Sequence, residues 1–408
     1  MREAASIVAT AFCALAQATL TACGGDGNGS ASPPPQTQVL HSFGTETPAI
    51  VSPSGLVLGT DGNFYGTALG GAYNGGVIFK ITPAGVVTVL HSFDPSTGDG
   101  GEPGGLILGS DGNFYGTTMG GGTNGWGTVF KMTPDGTESV SYSFKGYPSD
   151  SAGASSVFQA GDGNLYGTSD FGGTNNKGTV FKVSPSGIET VLYSFGSMAN
   201  DPAGVFGALV EGDDGNFYGV SQLGGTSNLG AVFQITPEGI LTLVHSFTGG
   251  SNDGSVGVGS GLLKGSDGNF YGIASGYGPN GGGIVYKLTQ AGVETIVHAF
   301  GSSTSGIGSF PEGTLSEDAY GNFYGGTGGG GYPRPVCGNQ GCSNTGSSGT
   351  IFEISAAGGA VLWSNFGPSA TDGTNPSGPP ILGQDGTLYG VTTNGGADDA
   401  GVFYKITP

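Results

Sequence analysis

Hydrophobic residues along this chain occur in short runs separated by Gly, Pro, Asn and Asp, without a helical period. One stretch shows the pattern: GLILGS (105–110), FYGTTM (114–119), GTVFKMT (127–133) and SVSYSF (139–144). Such runs, rich in Val, Phe, Tyr and Thr and bounded by turn residues, predict β-strands. The DGN at 111–113 and the PDG at 134–136 predict tight turns, because Gly and Asn adopt positive φ at little cost. The stretch therefore predicts four antiparallel strands.

The same stretch recurs along the chain, marked by the signature DGN[FL]YG or a close variant of it. Its tyrosines are spaced by 50, 51, 52, 53, 53 and 65 residues, at Tyr65, Tyr115, Tyr166, Tyr218, Tyr271, Tyr324 and Tyr389. A period of about 50 residues containing four strands is typical of propeller blades. We therefore predict an all-β fold, a seven-bladed β-propeller of four-stranded antiparallel blades.

The two ends of the chain are out of phase with the repeat. The seventh repeat stops at Pro408 after three predicted strands, whereas the segment TQVLHSFG (37–44) has the sequence of a fourth strand and precedes the first repeat. We predict that this N-terminal strand completes the last blade, which removes a free sheet edge. Counting it, there are seven predicted fourth strands, at 39–43, 89–93, 140–144, 191–195, 244–247, 297–300 and 361–366. The propeller domain would then span residues 37–408.

Residues 1–22 have the pattern of a signal peptide, with Arg2, a mostly apolar span and small residues before Cys23. The sequence LTAC at 20–23 resembles a bacterial lipobox, which predicts lipidation of Cys23; an ordinary cleaved signal peptide is the alternative. Residues 23–36, rich in Gly, Ser and Pro, are predicted to be a flexible tether. We therefore expect an exported outer-membrane or cell-surface lipoprotein, or alternatively a secreted protein.

Composition narrows the possible partners. The chain has 88 Gly and 22 Pro, which would suit a disordered segment, but the glycines are periodic and alternate with Phe, Tyr, Val and Ile. The formal net charge of −20 argues against nucleic acid, since such binding needs basic groups to neutralise phosphates. It also argues against contact with an anionic membrane, except through the N-terminal lipid. We expect a monomer.

Three motifs carry a family resemblance. The segments DGNFYGT, GG-x-x-x-x-G-x-V-F-K-[IMV]-[TS]-P and VLHSF resemble the GloVer-type tandem repeat of bacterial secreted proteins, a neighbour of the HAF-type extracellular repeats. The resemblance covers all seven repeats and implies a cell-surface protein, but it implies no chemistry. Repeat six departs most: it has Tyr320 in place of Asp, ISA at 354–356 in place of ITP, and a long insertion at 330–349.

Metal and cofactor sites receive little support from the sequence. A metal site would need several ligands that converge. The four histidines share one position in the fourth strand, so they should point apart around the rim. We predict that they serve packing and not metal binding. The DGN aspartates are predicted to serve their turns, and the lysines of the third strands to be solvated. A calcium site remains an alternative only at the acidic loop 94–102. The histidines are His41, His91, His245 and His298.

Catalytic motifs are equally scarce. The sequence has no Gly-x-Ser-x-Gly and no P-loop, and every histidine belongs to the repeat pattern. Asp170, Asp398 and Asp399 are loop carboxylates without a shared motif. We predict a protein that is not an enzyme, and a polysaccharide-active hydrolase or lyase remains the alternative.

Two cysteines outside the leader, Cys337 and Cys342, lie in CGNQGC within the insertion of repeat six. In an exported protein such a pair is predicted to form a local disulfide at a hairpin tip, because a metal site would need further ligands. Two free thiols are the alternative.

Antiparallel blades predict two unlike faces. The uniform DGN and TP-x-G turns share one face, and the loops that vary in length share the other, which we call the variable face. Binding commonly resides on variable loops held by a rigid scaffold, and aromatic rings beside amides suit a sugar. We therefore predict a surface module for a glycan or protein ligand; a purely structural surface repeat is a further alternative. The candidate ligand-binding residues are Tyr73, Trp126, Tyr277, Tyr332 and Arg334.

Overall fold

The structure is a computed structural model. It describes residues 35–257, 260–301, 307–330, 334–338, 341–346, 348–356, 358–367 and 372–407. The predicted signal peptide, Cys23, most of the predicted tether and Tyr332 lie outside the described residues. No helix among the described residues is long and apolar enough to span a membrane.

The described strands form seven antiparallel blades, each with a first strand at the ring axis and a fourth at the outer rim. The first strand in the chain, β1, belongs to blade 7. The strands of β1 and blades 1 to 3 are β1 (Gln36–Ser42); β2 (Ile50–Val51), β3 (Leu56–Leu58), β4 (Phe64–Gly70), β5 (Val77–Ile81) and β6 (Val87–Ser92); β7 (Gly100–Leu108), β8 (Phe114–Gly121), β9 (Thr128–Met132) and β10 (Glu138–Ser143); β11 (Ser151–Gln159), β12 (Leu165–Gly172), β13 (Thr179–Val183) and β14 (Glu189–Ser194).

Blades 4 to 7 continue the order, and two short two-stranded sheets accompany blades 5 and 6. Their strands are β15 (Val210–Glu211), β16 (Phe217–Ser221), β17 (Ala231–Ile235) and β18 (Leu241–Ser246); β19 (Gly254–Ser255), β20 (Leu262–Lys264), β21 (Phe270–Ala274), β22 (Gly276–Tyr277), β23 (Ile284–Leu288) and β24 (Glu294–Ala299); β25 (Ser309–Glu317), β26 (Phe323–Gly329), β27 (Arg334–Gly338), β28 (Gly341–Gly346), β29 (Thr350–Ile354) and β30 (Ala360–Asn365); β31 (Gly373–Leu382), β32 (Leu388–Gly395) and β33 (Val402–Thr407).

The predicted ring closure is confirmed. Strand β1 pairs antiparallel with β33, in a register that runs from Gln36 opposite Thr407 to Ser42 opposite Val402. Just beyond β1, the Phe43 amide donates to the Gly401 carbonyl at 3.0 Å, and the Phe43 ring is fully buried. Blade 7 therefore joins both ends of the domain.

The Phe-Tyr pair of the signature explains how neighbouring blades pack. The Phe of one blade lies on the Tyr of the blade before it, with ring centroids 4.1 Å apart for Tyr65 and Phe114 and 4.3 Å for Tyr218 and Phe270. Blade 3 has Leu165 in place of Phe, within a core cluster that Tyr115 packs against. Aromatic contacts of this kind stabilise beyond the area they bury, so the signature is an inter-blade packing motif.

The first strands of blades 2, 3, 6 and 7 are longer than the sequence predicts. In blade 2 the hydrophobic run begins at Gly105, but β7 already begins at Gly100. The pairing with β8 shifts register between Pro103 and Leu106, at a β-bulge. Pro lacks an amide hydrogen and occurs in strands mainly at edges and bulges. The sequence EPGG therefore predicts a loop although the chain stays in the sheet.

Candidate functional site

The uniform face is held by a repeated hydrogen-bond network around the DGN aspartates. Asp61 accepts hydrogen bonds from the Asn63 amide at 3.1 Å and, at its other oxygen, from Tyr65 Oη at 2.9 Å and Lys80 Nζ at 2.8 Å. Burial alone would raise the pKa of Asp61, but hydrogen bonds from Lys80 and Asn63 outweigh it and hold that pKa well below its usual range. The aspartate thus anchors the inter-blade Tyr as well as the turn.

The variable face carries most of the exposed aromatic surface. Seven aromatic side chains among the described residues are exposed, and six of them lie at the variable-face ends of strands or in the loops there. The seventh, Tyr320, lies in a uniform-face turn. The six are Tyr73, Trp126, Tyr147, Phe171, Tyr277 and Phe310.

The predicted ligand-binding residues occupy separate blades. Tyr73 and Trp126 are 59% and 47% exposed in the loops between second and third strands of blades 1 and 2, and Tyr277 is 49% exposed in blade 5. The structure does not bring the three together in one site. Arg334 is the first residue of β27, whose pairing with β28 places Cys337 directly opposite Cys342. The hairpin is therefore present, and the disulfide stays a prediction.

A groove of about 670 Å³ lies on the variable face between blades 3 and 4. Its lining comes from the loops after β12 and β16 and from the connection between the two blades. Apolar Met198 and Leu223 are 53% and 45% exposed there. The groove combines these with polar groups, its lining including Asp170, Lys177, Asn200 and Asn228.

Asp170 is the polar group of the groove with an unmet hydrogen-bonding need. Its Oδ1 atom is buried and has no hydrogen-bond partner in the structure. Burial raises the pKa of Asp170 to about 6. A carboxyl group in this state can take or give a proton near neutral pH, or accept a hydrogen bond from a ligand.

The sequence favours a loop carboxylate at Asp170, but the residue lies near the variable-face end of β12, and the groove is not predicted. A signal did exist in the repeat. The position four residues after the signature Tyr is Leu69 in blade 1, Met119 in blade 2 and Gln222 in blade 4, so blade 3 alone carries a carboxylate there. An ionisable residue at a position that other repeats leave neutral is a reason to look for a ligand.

The loops around the groove are held rigidly by asparagines. Asn175 Nδ2 donates to the Phe195 carbonyl at 3.2 Å, which ties the loop after β12 to the residue that follows the outer strand β14. Asn228 Oδ1 accepts from the Gly224 amide at 2.9 Å, and Asn228 has a positive φ of 55°. Loops fixed in this way lose little conformational freedom when a ligand binds.

The outer rim holds a second recurring arrangement, which sequence reasoning did not find. Each described histidine packs edge-on against the Phe two residues later, as the predicted packing role requires, with centroids 4.7 Å apart for His245 and Phe247. The imidazoles of His41, His91 and His245 also face carboxylates. His91 groups with Asp99 and Glu138, and His245 with Asp253 and Glu294, so each cluster spans two blades.

Blades 2 and 3 hold the same cluster with Tyr142 in place of the histidine. Tyr142 Oη donates to Asp150 Oδ2 at 2.7 Å, and Ser151 Oγ donates to Glu189 Oε1 at 3.1 Å. Burial, followed by the negative charge of Asp150, raises the pKa of Glu189 to about 8. The backbone amides of Lys145 and Ser151 bind the Asp150 carboxylate, which is 3% exposed.

This raised pKa predicts a pH-dependent stability. A glutamate whose pKa is raised on folding favours the protonated native state, so its contribution is complete below the ordinary pKa of 4.5 and is lost as the pH rises through about 8. We expect Glu189→Gln to flatten the stability profile over this window. The free energy of unfolding of the variant minus that of wild type should therefore be larger at about pH 9 than at about pH 5.

Chemical denaturation of both proteins across the window measures this difference. Glu238→Gln serves as the control, because Glu238 lies exposed in a uniform-face turn. The Glu238 variant should follow wild type at every pH. Parallel profiles for wild type and the Glu189 variant would show that Glu189 ionises normally in the folded protein.

Comparisons with solved structures place the fold among known propellers. A catalytically inactive variant of virginiamycin B lyase from Staphylococcus aureus, solved with quinupristin, has a TM-score of 0.59 and 15% identity, over 92% of this chain and 99% of that one. The extracellular domain of a protein assigned as a hybrid two-component system of B. thetaiotaomicron has a TM-score of 0.55 and 14% identity. That match covers 93% of this chain and 42% of the other. At these identities the likeness shows the fold alone.

No curated protein matches the chain. The Gloeobacter/Verrucomicrobia repeat matches residues 24–152, 52–262, 102–339 and 207–408, which together span the seven blades. These regions contain the DGN turns, the Phe-Tyr inter-blade pairs and the closing strand described above. The chain therefore belongs to the Gloeobacter/Verrucomicrobia (GloVer) repeat family.

Proposed function

We propose that this protein is a non-catalytic binding module of the cell surface, which holds a glycan or protein ligand on its variable face. The observation that carries the proposal is the distribution of exposed rings, six of seven on that face among the described residues. Exposed aromatic surface beside polar groups is what sugar and protein ligands both require. The groove between blades 3 and 4 is the proposed centre of the site.

The charge of the protein favours some ligands over others. With a net charge of −20 and Asp170 in the groove, an acidic polymer would be repelled at low ionic strength. Neutral polysaccharides, amino sugars and basic proteins are therefore the preferred ligands. Lipidation at Cys23, which lies outside the described residues, would hold the module at a membrane and leave the variable face free to bind.

A binding panel tests the proposal. Neutral, acidic and amino-containing polysaccharides and surface proteins are measured for retention on the immobilised protein and for cleavage. We expect a ligand whose affinity falls at least about tenfold in Trp126→Ala and in Leu223→Ala, since each removes exposed apolar contact area. Tyr320→Ala, which removes a ring that is 52% exposed on the uniform face, is the matched control and should bind normally.

The opposite pattern would contradict the proposed face. If Tyr320→Ala weakens retention while Trp126→Ala and Leu223→Ala do not, then binding uses the uniform face. Tyr332→Ala extends the same test to the insertion of repeat six.

A polysaccharide-active hydrolase or lyase is the second candidate, and one observation favours it. Asp170 has a buried oxygen without a partner and a pKa raised to about 6, which suits a general acid. An enzyme of this kind would release products from the panel, and Asp170→Asn would abolish the release. Retention without any product favours the binding module.

A further inference from the structure

The rim cluster between blades 4 and 5 differs from its counterparts in one respect: its histidine has no hydrogen bond. His245 Nε2 and Glu294 Oε1 are buried and have no hydrogen-bond partner. His245 Nε2 lies 3.5 Å from Asp253 Oδ1 and 3.6 Å from Glu294 Oε2. The ligand atoms of all three residues lie within 4.8 Å of one another.

These distances suit a tetrahedral metal ion. Zinc binds His nitrogen and carboxylate oxygen at 2.0–2.2 Å, so two ligands of a tetrahedral site lie about 3.3–3.6 Å apart. The two distances from His245 Nε2 fall in this range, whereas a hydrogen bond would be shorter. The three side chains are only 18%, 7% and 12% exposed for His245, Asp253 and Glu294. A fourth position remains for water.

The neighbouring groups orient the ligands. Asp253 Oδ2 accepts hydrogen bonds from the Thr248 amide at 2.7 Å and Thr248 Oγ1 at 2.9 Å, and Asp253 Oδ1 accepts from the Gly254 amide at 2.7 Å. The His245 ring packs edge-on against Phe247. Supporting contacts of this kind fix ligand orientation at metal sites.

We propose that His245, Asp253 and Glu294 form a binding site for a divalent transition-metal ion, with Zn²⁺ as the expected ion. The site lies on the rim between two blades, apart from the groove of the proposed function. One imidazole and two carboxylates form a donor set that zinc accepts. A bound ion would link blade 4 to blade 5 through their outer strands.

The other blades show what the same positions do without a metal. At the 2–3 junction, Tyr142 donates directly to Asp150 at 2.7 Å. At the 1–2 junction, His91 Nε2 lies 2.9 Å from Asp99 Oδ2 and is hydrogen-bonded, although Glu138 Oε1 is buried without a hydrogen-bond partner, as Glu294 Oε1 is. Among the described clusters, the junction of blades 4 and 5 alone has a histidine whose Nε2 atom lacks a hydrogen bond.

The chain supplies its own matched variants for the test. His245→Tyr installs the residue found at Tyr142, and Glu294→Leu installs the residue found at Leu241, so both substitutions already occur at these repeat positions. His91→Tyr alters the cluster whose histidine is hydrogen-bonded, and it serves as the control. Because all variants keep every cysteine, any metal bound by thiols is the same in each.

The full chain is stripped with chelator, loaded with Zn²⁺ and passed through gel filtration before metal analysis. We expect wild type and His91→Tyr to retain about one equivalent more Zn²⁺ than His245→Tyr and Glu294→Leu. Titration should show affinity for this ion at least about 100-fold weaker in the two site variants. Co²⁺ should give wild type a tetrahedral visible spectrum that His245→Tyr lacks. Equal Zn²⁺ content and equal Co²⁺ spectra in wild type and His245→Tyr would overturn the proposal, whatever the panel of surface ligands shows.

Discussion

Deletion of residues 37–44 is expected to destabilise the whole propeller. The deletion removes β1 after Gln36, so β33 becomes a free edge, and it removes the fully buried Phe43 ring from the core shared by blades 7 and 1. Loss of a buried Phe side chain alone costs about 3–5 kcal/mol. We therefore expect a loss of at least about 4 kcal/mol in the free energy of unfolding, and a lower midpoint in thermal and denaturant melts.

A deletion of equal length upstream provides the control. Residues 27–34, GNGSASPP, are also eight residues and belong to the predicted tether. Removing them should leave the melting curve unchanged. If the two deletions give the same curve as wild type, then the ring does not depend on the N-terminal strand for closure.

The closing strand could be predicted because both ends of the repeat were out of phase. VLHSF before the first repeat and KITP at the end of the last one leave a single consistent pairing. The register shift in β7 could not be predicted in the same way. The sequence EPGG favours a loop locally, and only pairing with β8 holds the chain in the sheet at a bulge.

The groove and the rim clusters depend on contacts between blades, which a single repeat does not encode. Asp170 is unusual for its position, but its burial depends on the connection that carries Met198 and Asn200. The rim clusters had a clearer signal. An Asp stands eight residues after His91, Tyr142 and His245, and a Glu opens the next fourth strand in each case. The pattern is visible only when the repeats are aligned and the fourth strand of each blade is compared with the loop and the fourth strand of the next blade.

The glycine of the FYG signature is expected to be irreplaceable for a steric reason. In blade 3, a Cβ on Gly167 would lie 2.5 Å from the Ser156 carbonyl oxygen and 2.6 Å from the Phe181 ring. The third strand of every blade carries an aromatic residue at the position of Phe181, opposite this glycine. We expect Gly167→Ala to cost about 3 kcal/mol of unfolding free energy, since overpacking of a dense core costs about 1–3 kcal/mol and here a backbone atom must also shift.

Gly105→Ala is the matched control, because a Cβ at Gly105 would meet nothing within 4 Å and its φ is not positive. Denaturant melts of the two variants should therefore separate the effect of steric overpacking from the effect of reduced backbone flexibility, which both substitutions share. A Gly105 variant as stable as wild type, beside a destabilised Gly167 variant, assigns the effect to the aromatic ring and carbonyl that close over the signature glycine. Equal stability of all three proteins would mean that the blades can spread to admit a methyl group. The structural roles of the signature would then be its turn and its inter-blade Tyr, whose hydroxyl in blade 3 donates to Asp162 at 2.8 Å.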